Sequence, residues 1–94
     1  MSGTQQIPDQ DYKEIPQRIG WKTVLRIIEF LYHNSKSKKT HISLKCNLGY
    51  KKCILYLNWL EMMDLVQKHV DTDGSHLIIL SDRGIKLAQK FSNP

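Results

Sequence analysis

The chain has 94 residues, a formal net charge of +5 at pH 7 and a sequence pI of about 9.3. This length suits one domain, and the basic balance favours nucleic acid or an anionic surface over an acidic partner. No apolar run approaches the roughly 20 residues that span a bilayer, and residues 1–6 lack the apolar core of a signal peptide, so we expect a cytoplasmic protein without a membrane partner.

The first 18 residues are polar and show no sustained periodicity. They contain Pro8 and Pro16, and proline lacks a backbone donor and disfavours helix in the residue before it. We therefore expect a flexible N-terminal arm over residues 1–18 and one domain over residues 19–94. The arm is either a disordered tail or a segment that lies along a partner or along DNA.

A first helix is predicted from Gly20 to about Asn34. Its apolar stripe recurs at helical spacing and consists of Trp21, Val24, Leu25, Ile28, Leu31 and Tyr32, with Ile27 at its flank. Phe30 falls outside this stripe. It is therefore either a flanking residue or a contact with another chain.

The next segment predicts two helices joined by a tight turn. Thr40 is the expected N-cap of a short helix over residues 41–46, which places Ile42 and Cys46 on one face. The sequence Asn47-Leu48-Gly49 predicts the turn, because Asn and Gly tolerate the left-handed backbone that a sharp reversal needs.

The third helix is predicted from about Tyr50 to Met63. The spacing places four residues on its inner face: Cys53, Tyr56, Leu57 and Leu60. The residues expected on the opposite side are Lys51, Leu55, Asn58 and Met62. Together with Trp59, Leu55 and Met62 form an outward apolar patch in this interpretation.

Two strand-like runs, residues 65–70 and 76–80, follow the break at Asp64. Between them lies the turn-rich pentapeptide Asp71-Thr72-Asp73-Gly74-Ser75, in which glycine supplies a positive φ. This pattern predicts a β-hairpin, with His69 and His76 facing each other across it. Ser81 is the expected cap of a last helix over residues 82–91.

The order helix, helix-turn-helix, hairpin, helix predicts an α+β fold, a small winged helix-turn-helix domain with a three-helix core, a β-hairpin wing and a C-terminal helix. From Phe30 to Leu60 the chain has no acidic residue but carries six lysines. This asymmetry produces a positive field that attracts polyanions. The acid-free stretch includes the predicted helix-turn-helix, the motif that many nucleic-acid-binding proteins place on a duplex.

Two cysteines, Cys46 and Cys53, are typical of an intracellular chain rather than a secreted disulfide scaffold. Their spacing matches no zinc-binding motif, and the histidines do not cluster near them. The sequence also has no Gly-rich phosphate loop and no paired catalytic signature. It predicts a protein that is not an enzyme and has no metal or other cofactor, with both thiols packed in the core rather than acting as a redox pair.

Four segments resemble the archaeal winged helix-turn-helix regulators over about residues 20–91. They are Asn47-Leu48-Gly49-Tyr50, Tyr56-Leu57, Asp64-Leu65-Val66 and Leu80-Ser81-Asp82-Arg83-Gly84. The resemblance implies a transcription regulator or small chromosomal DNA-binding protein of archaeal or archaeal-virus type, commonly dimeric. It places Tyr50, Lys51 and Lys52 at the start of the recognition helix. The chain departs from the family pattern at Gly49, where a hydroxyl N-cap is usual, and at Asp64, where glycine is usual.

The expected partner is double-stranded DNA. The residues predicted to contact it are Lys36, Lys38, Lys39, Thr40, Lys45, Tyr50, Lys51, Lys52, Leu55, Asn58 and Ser75. Lys51 is expected to reach a guanine edge or a phosphate, and Asn58 to pair with adenine. The loop lysines are expected to attract phosphate without reading sequence.

Surplus apolar residues predict a homodimer through the first and last helices, with Phe30, Ile85 and Phe91 at the interface. The function indicated is therefore specific or semi-specific binding to duplex DNA by a homodimeric transcription regulator. The alternative is a protein-interaction module in which the patch of Leu55, Trp59 and Met62 binds another polypeptide.

Overall fold

The computed structural model describes residues 14–92, with only the backbone of Ser92, so most of the predicted N-terminal arm lies outside the described residues. The elements in chain order are α1 (Trp21–His33), α2 (Lys39–Lys45), α3 (Tyr50–Met62), β1 (Val66–Val70), β2 (His76–Leu80) and α4 (Asp82–Ser92). The predicted element order is confirmed. None of the helices described in residues 14–92 has the length and hydrophobicity needed to cross a membrane.

Helix α1 buries one face against the rest of the domain. Its buried residues are Val24, Ile27, Ile28 and Leu31. The predicted stripe is wrong at both ends, because Trp21 is 59% exposed and Tyr32 is 36% exposed. Phe30 packs against the core instead, and its ring lies 5.6 Å from that of His41 on α2. Phe30 is therefore a flanking residue of the buried face, which is one of the two alternatives given for it.

Helix α2 begins one residue earlier than Thr40, so Thr40 is not its N-cap. That position belongs to Lys38, which makes no side-chain cap hydrogen bond. The turn after α2 contains Asn47 with a φ of 56°, whereas Gly49 is extended at a φ of −61°. The left-handed residue of the turn is thus the asparagine.

Two hydrogen bonds between Ser43 and Leu48 close this turn. The Ser43 hydroxyl donates to the Leu48 carbonyl at 2.6 Å, and the Leu48 N–H donates to the Ser43 carbonyl at 2.9 Å. From α1, the Arg26 guanidinium donates to the Cys46 carbonyl at 3.1 Å. The helix-turn-helix is thereby fixed to α1 at the point where the chain reverses.

The predicted inner face of α3 is confirmed, since Cys53, Tyr56, Leu57 and Leu60 are all buried. The helix ends in a Schellman motif, in which the Leu65 N–H donates to the Leu60 carbonyl at 2.8 Å and the Asp64 N–H to the Glu61 carbonyl at 3.0 Å. Asp64 occupies the left-handed position of this motif, with a φ of 59°.

The β1–β2 hairpin is antiparallel, with Val66 opposite Leu80 and Val70 opposite His76. Gly74 has the expected positive φ, 88°. His69 pairs with Leu77 rather than with His76, and neighbouring positions on a strand point to opposite faces of the sheet. The prediction that His69 and His76 face each other is therefore wrong.

An isolated bridge outside the hairpin joins Ser37 to Ile78. The Ser37 N–H donates to the Ile78 carbonyl at 3.1 Å, and the Ile78 N–H donates back at 2.8 Å. This bridge, which sequence patterns do not predict, places the loop between α1 and α2 beside the wing.

Helix α4 is held by Ser81, whose buried hydroxyl accepts the Gly84 N–H at 3.1 Å and donates to the Asp64 carbonyl at 2.5 Å. The predicted cap is confirmed. A Cβ at Gly84 would lie only 2.1 Å from the Leu65 carbonyl oxygen, so the close approach of α4 to the start of β1 requires glycine.

The core draws on every helix and both strands. Its buried apolar residues are Val24, Ile27, Ile28, Leu31, Ile42, Cys46, Cys53, Tyr56, Leu57, Leu60, Leu65, Val66, Ile78, Leu80 and Ala88.

Candidate nucleic-acid interface

The first turn of α3 presents a basic surface to solvent. Lys51 and Lys52 are exposed, Tyr50 is 53% exposed, and this turn contains no acidic residue. Gly49 is the N-cap residue, and no side-chain cap hydrogen bond is made at this end among the described residues. A helix N-terminus carries a partial positive charge, which adds to that of the two lysines.

Helix α2 and the turn contribute a neighbouring depression of about 460 Å³. Its lining residues include Thr40, Leu44, Asn47 and Tyr50. Leu44 is 75% exposed and was not predicted as a site residue. Helical periodicity could have predicted this exposure, because position 44 lies on the opposite side of the helix from the buried Ile42.

Lys38 lies close enough to Asp73 for their charges to interact, but no lysine of this region forms an ion pair with an acidic residue that the structure describes. Lys38, Lys45, Lys51 and Lys52 are exposed, and Lys39 is half-buried. Within residues 14–92, the ion pairs involve other residues: Lys68 lies 4.0 Å from Glu61, and His69 lies 3.9 Å from Asp71. The positive field of α2 and α3 is therefore directed at solvent.

Two of the predicted DNA contacts lie at the edges of this surface. Lys36, in the left-handed backbone region with a φ of 68°, lies beside Tyr32, Ile79 and Ile85 rather than beside the first turn of α3. Lys38 follows the Ser37 bridge and is thus next to the wing.

The wing tip is acidic. The Ser75 N–H donates to the Asp73 carboxylate at 2.9 Å, and the pKa of Asp73 is lowered by this bond, by a side-chain bond to Ser75 and, to a smaller extent, by the charge of Lys38. Asp71 also lies in this turn, so the segment from residue 71 to Ser75 contains two carboxylates and no lysine or arginine.

Asn58, the predicted adenine contact, is engaged within the chain. Its side-chain amide donates to the Glu14 carbonyl at 2.8 Å. Tyr56, also on α3, binds the segment before α1 at two further points. Its hydroxyl donates to the Arg18 carbonyl at 3.3 Å and accepts the Gly20 N–H at 2.9 Å. Residues 14–20 therefore lie against α3, and Asn58 reaches a base only if this segment moves away.

The outward apolar patch predicted on α3 is not a continuous exposed surface. Trp59 packs against the core, and its ring lies edge-on to that of Trp21 with the centroids 6.3 Å apart. Leu55 is half-buried, and Met62 is 59% exposed.

Both cysteines are free and buried, which confirms the prediction that they pack in the core. Burial raises the pKa of the Cys53 thiol from 9.0 to about 11, with a further rise from Cys46 and an opposing effect of Lys39. Burial likewise raises the pKa of Cys46, against the charge of Arg26. Neither thiol is suited to redox chemistry in the folded chain.

The predicted dimer contacts lie on two sides of α1. Phe91 is 63% exposed and lies beside Leu25 and Ile28, whereas Ile85 is 36% exposed and lies beside Tyr32. Phe30 lies on the side of α1 that faces α2. Whether any of the three contacts a second chain stays a prediction.

Comparison with solved structures identifies the architecture. The chain is similar to Staphylococcus aureus MepR bound to ethidium bromide, with a TM-score of 0.70 and 22% identity over 74% of this chain and 53% of that chain. It is similar to apo Lactococcus lactis ZitR, with a TM-score of 0.70 and 18% identity over 76% of this chain and 55% of that chain. The fold is a winged helix.

A third similar structure is a complex of S. aureus MepR with DNA, with a TM-score of 0.68 and 21% identity over 83% of this chain and 62% of that chain. The chain thus spans between half and two thirds of the length of these proteins. No protein-family model and no curated protein matches the sequence.

Proposed function

We propose that this winged helix binds double-stranded DNA and acts as a transcription regulator, without catalysis. The observation that carries the proposal is the surface formed by α2 and the first turn of α3. It contains exposed lysines with no described ion pair, in a stretch from residue 30 to residue 60 that lacks acidic residues. The DNA complex of MepR, a protein of similar fold, supports the choice of DNA as the polyanion.

In the proposed mechanism the N-terminal end of α3 enters the major groove. Lys51 contacts a base edge, and Lys52, Lys38, Lys39 and Lys45 contact phosphates. Exposed Leu44 and Tyr50 lie beside these lysines and supply apolar contact with the duplex. The acidic wing contributes no phosphate contact.

We further propose that the protein is a cytoplasmic homodimer that joins through α1 and α4. The exposed Ile85 and Phe91 support this interface. The resemblance of the helix-turn-helix segments to archaeal regulators supports an archaeal or archaeal-virus origin. The similar solved structures, which come from bacteria, supply no support for that origin.

The rival function, a protein-interaction module, has less support. It depends on a continuous apolar surface of Leu55, Trp59 and Met62, and two of these three side chains are largely covered within the chain.

A titration with random duplex DNA tests the proposal. We expect the double variant Lys51→Gln/Lys52→Gln to bind much more weakly than the unmodified chain at low salt. The matched control is Lys86→Gln/Lys90→Gln, which removes the same charge from α4 and is expected to bind almost as tightly as the unmodified chain. Equal losses in the two variants would show that only net charge matters and would contradict the assigned surface.

A further inference from the structure

A second surface lies away from the start of α3, where the beginning of α1, the end of α3 and the face of α4 enclose a groove of about 600 Å³. Its walls include Trp21, Trp59 and Leu87. Trp21 is 59% exposed, although an indole of this size usually lies inside a fold or in a contact. The volume is within the range of small-molecule sites, about 300–1,000 Å³.

The rim of this groove is cationic. Arg83, Lys86 and Lys90 lie three and four residues apart on α4, which places them along one edge, and all three are exposed. Among the described residues 14–92, no acidic side chain lines the groove and none of the three cations belongs to an ion pair.

We propose that this groove binds a small amphipathic anion, whose aromatic or acyl part packs against Trp21 and Trp59 while its carboxylate, sulfonate or phosphate faces the α4 cations. An apolar wall of two indoles favours a flat or extended hydrophobic group. Three exposed cations, none of them in an ion pair with a described residue, favour a negative head group over a neutral or positive one. The site is separate from the proposed DNA surface and does not depend on it.

The test uses three probes with the same ring system: 1-naphthoate, neutral 1-naphthamide and cationic 1-naphthylmethylammonium. The chain has only two tryptophans, and both line the groove, so their indole N–H signals in a nitrogen-15 NMR spectrum report on it directly. We expect naphthoate to shift both signals and to bind up to about fivefold more tightly than the amide, because an exposed ion pair contributes at most about 1 kcal/mol. The cation is expected to bind more weakly than the amide.

Variants locate the charge preference. Arg83→Gln/Lys86→Gln is expected to remove most of the difference between naphthoate and naphthamide while leaving binding of the amide unchanged. Lys45→Gln, an exposed lysine of α2, is the charge-matched control and is expected to retain the difference.

Three results would overturn the proposal: equal affinity for the three probes, no shift of the indole signals at millimolar naphthoate, or the same loss of preference in Lys45→Gln. Naphthoate that binds to dilute protein but not at concentrations at which the chain self-associates would mean that a second copy of the chain covers the groove, which also contradicts a ligand site.

Discussion

Cys53 couples the stability of the domain to pH. Its thiol has a pKa raised by burial to about 11 in the folded chain, above the unfolded value of 9.0. The neutral form is therefore favoured by folding, and this contribution is fully present below the unfolded pKa and is lost as the pH rises toward 11. We expect the free energy of unfolding to fall between pH 9 and 11.

Chemical denaturation at pH 8 and pH 10 measures this effect. The fall in unfolding free energy should be smaller in Cys53→Ala than in the unmodified chain, because the substitution removes the thiol whose pKa is raised. An identical fall in unfolding free energy in the two proteins would show that ionisation of Cys53 is not the cause of the pH dependence.

Lys51 and Lys38 are expected to play different roles on DNA. Lys51→Ala should weaken binding to a selected site more than binding to random duplex, because a base contact contributes about 1–3 kcal/mol of discrimination. Lys38→Ala should weaken both equally, since phosphates are common to all sequences. Fluorescence anisotropy titrations of both variants on both duplexes check this. If Lys51→Ala lost the same affinity for the selected site and for random duplex, Lys51 would contact only phosphate.

For single residues, helical periodicity correctly predicted which side chains in the middle of a helix are buried. It was wrong about the burial of side chains at helix ends. Cys53, Tyr56 and Leu60 were predicted inside because they repeat at helical spacing over a full helix. Trp21, at the first position of α1, is 59% exposed, because none of the described elements covers that end. The hydrogen bond of Asn58 to Glu14 joins residues 44 apart, and no local pattern encodes such a contact.

At the level of elements, the start of α3 lacks a side-chain cap, although the backbone allows one. Gly49 has a φ of −61° and a ψ of 149°, and a Cβ there would meet no atom within 4 Å. Gly49→Ser should therefore stabilise the domain by about 0.5 kcal/mol, through a cap hydrogen bond and a less flexible unfolded chain. That corresponds to a rise in melting temperature of about 2–4 °C.

Thermal unfolding of Gly49→Ser and Gly49→Ala separates the two causes. Alanine restricts the unfolded chain equally but offers no cap oxygen, so it should be less stable than serine. If the two variants melted at the same temperature, the missing cap would not limit the stability of α3.

The helices and strands themselves were predicted well, because the turn residues lie where the hydrophobic periodicity changes along the chain. The hairpin followed from two apolar runs around Gly74, and the end of α3 from Asp64. The start of α2 was misplaced because Thr40 suits an N-cap chemically, whereas the Ser37–Ile78 bridge fixes the preceding backbone and lets the helix begin at Lys39. Long-range pairing of this kind is set by the whole fold.

At the scale of the whole molecule, exposed apolar groups on α4 and α1 support self-association. Sedimentation equilibrium at micromolar protein should give a mass near twice 11.0 kDa, and Phe91→Glu should halve it, because a charge cannot be buried unpaired at the interface. Phe30→Glu is less diagnostic, since Phe30 also packs against its own core. A monomer at every accessible concentration would contradict the dimer and the two-half-site mode of binding that it implies.

The whole-molecule charge distribution also explains why sequence composition indicates the proposed DNA surface but not the groove. The acid-free stretch is continuous in sequence, so composition alone reveals it. The groove combines Trp21, Trp59 and the α4 cations, which only the tertiary fold brings together.

The most direct test of the central claim is the salt dependence of binding to duplex DNA. If four to six of the lysines between residues 36 and 52 contact phosphate, a plot of log K against log salt concentration should have a slope of about −4 to −5, at roughly −0.9 for each phosphate neutralised. A slope near zero, or no binding at low salt, would contradict DNA binding by the surface of α2 and α3.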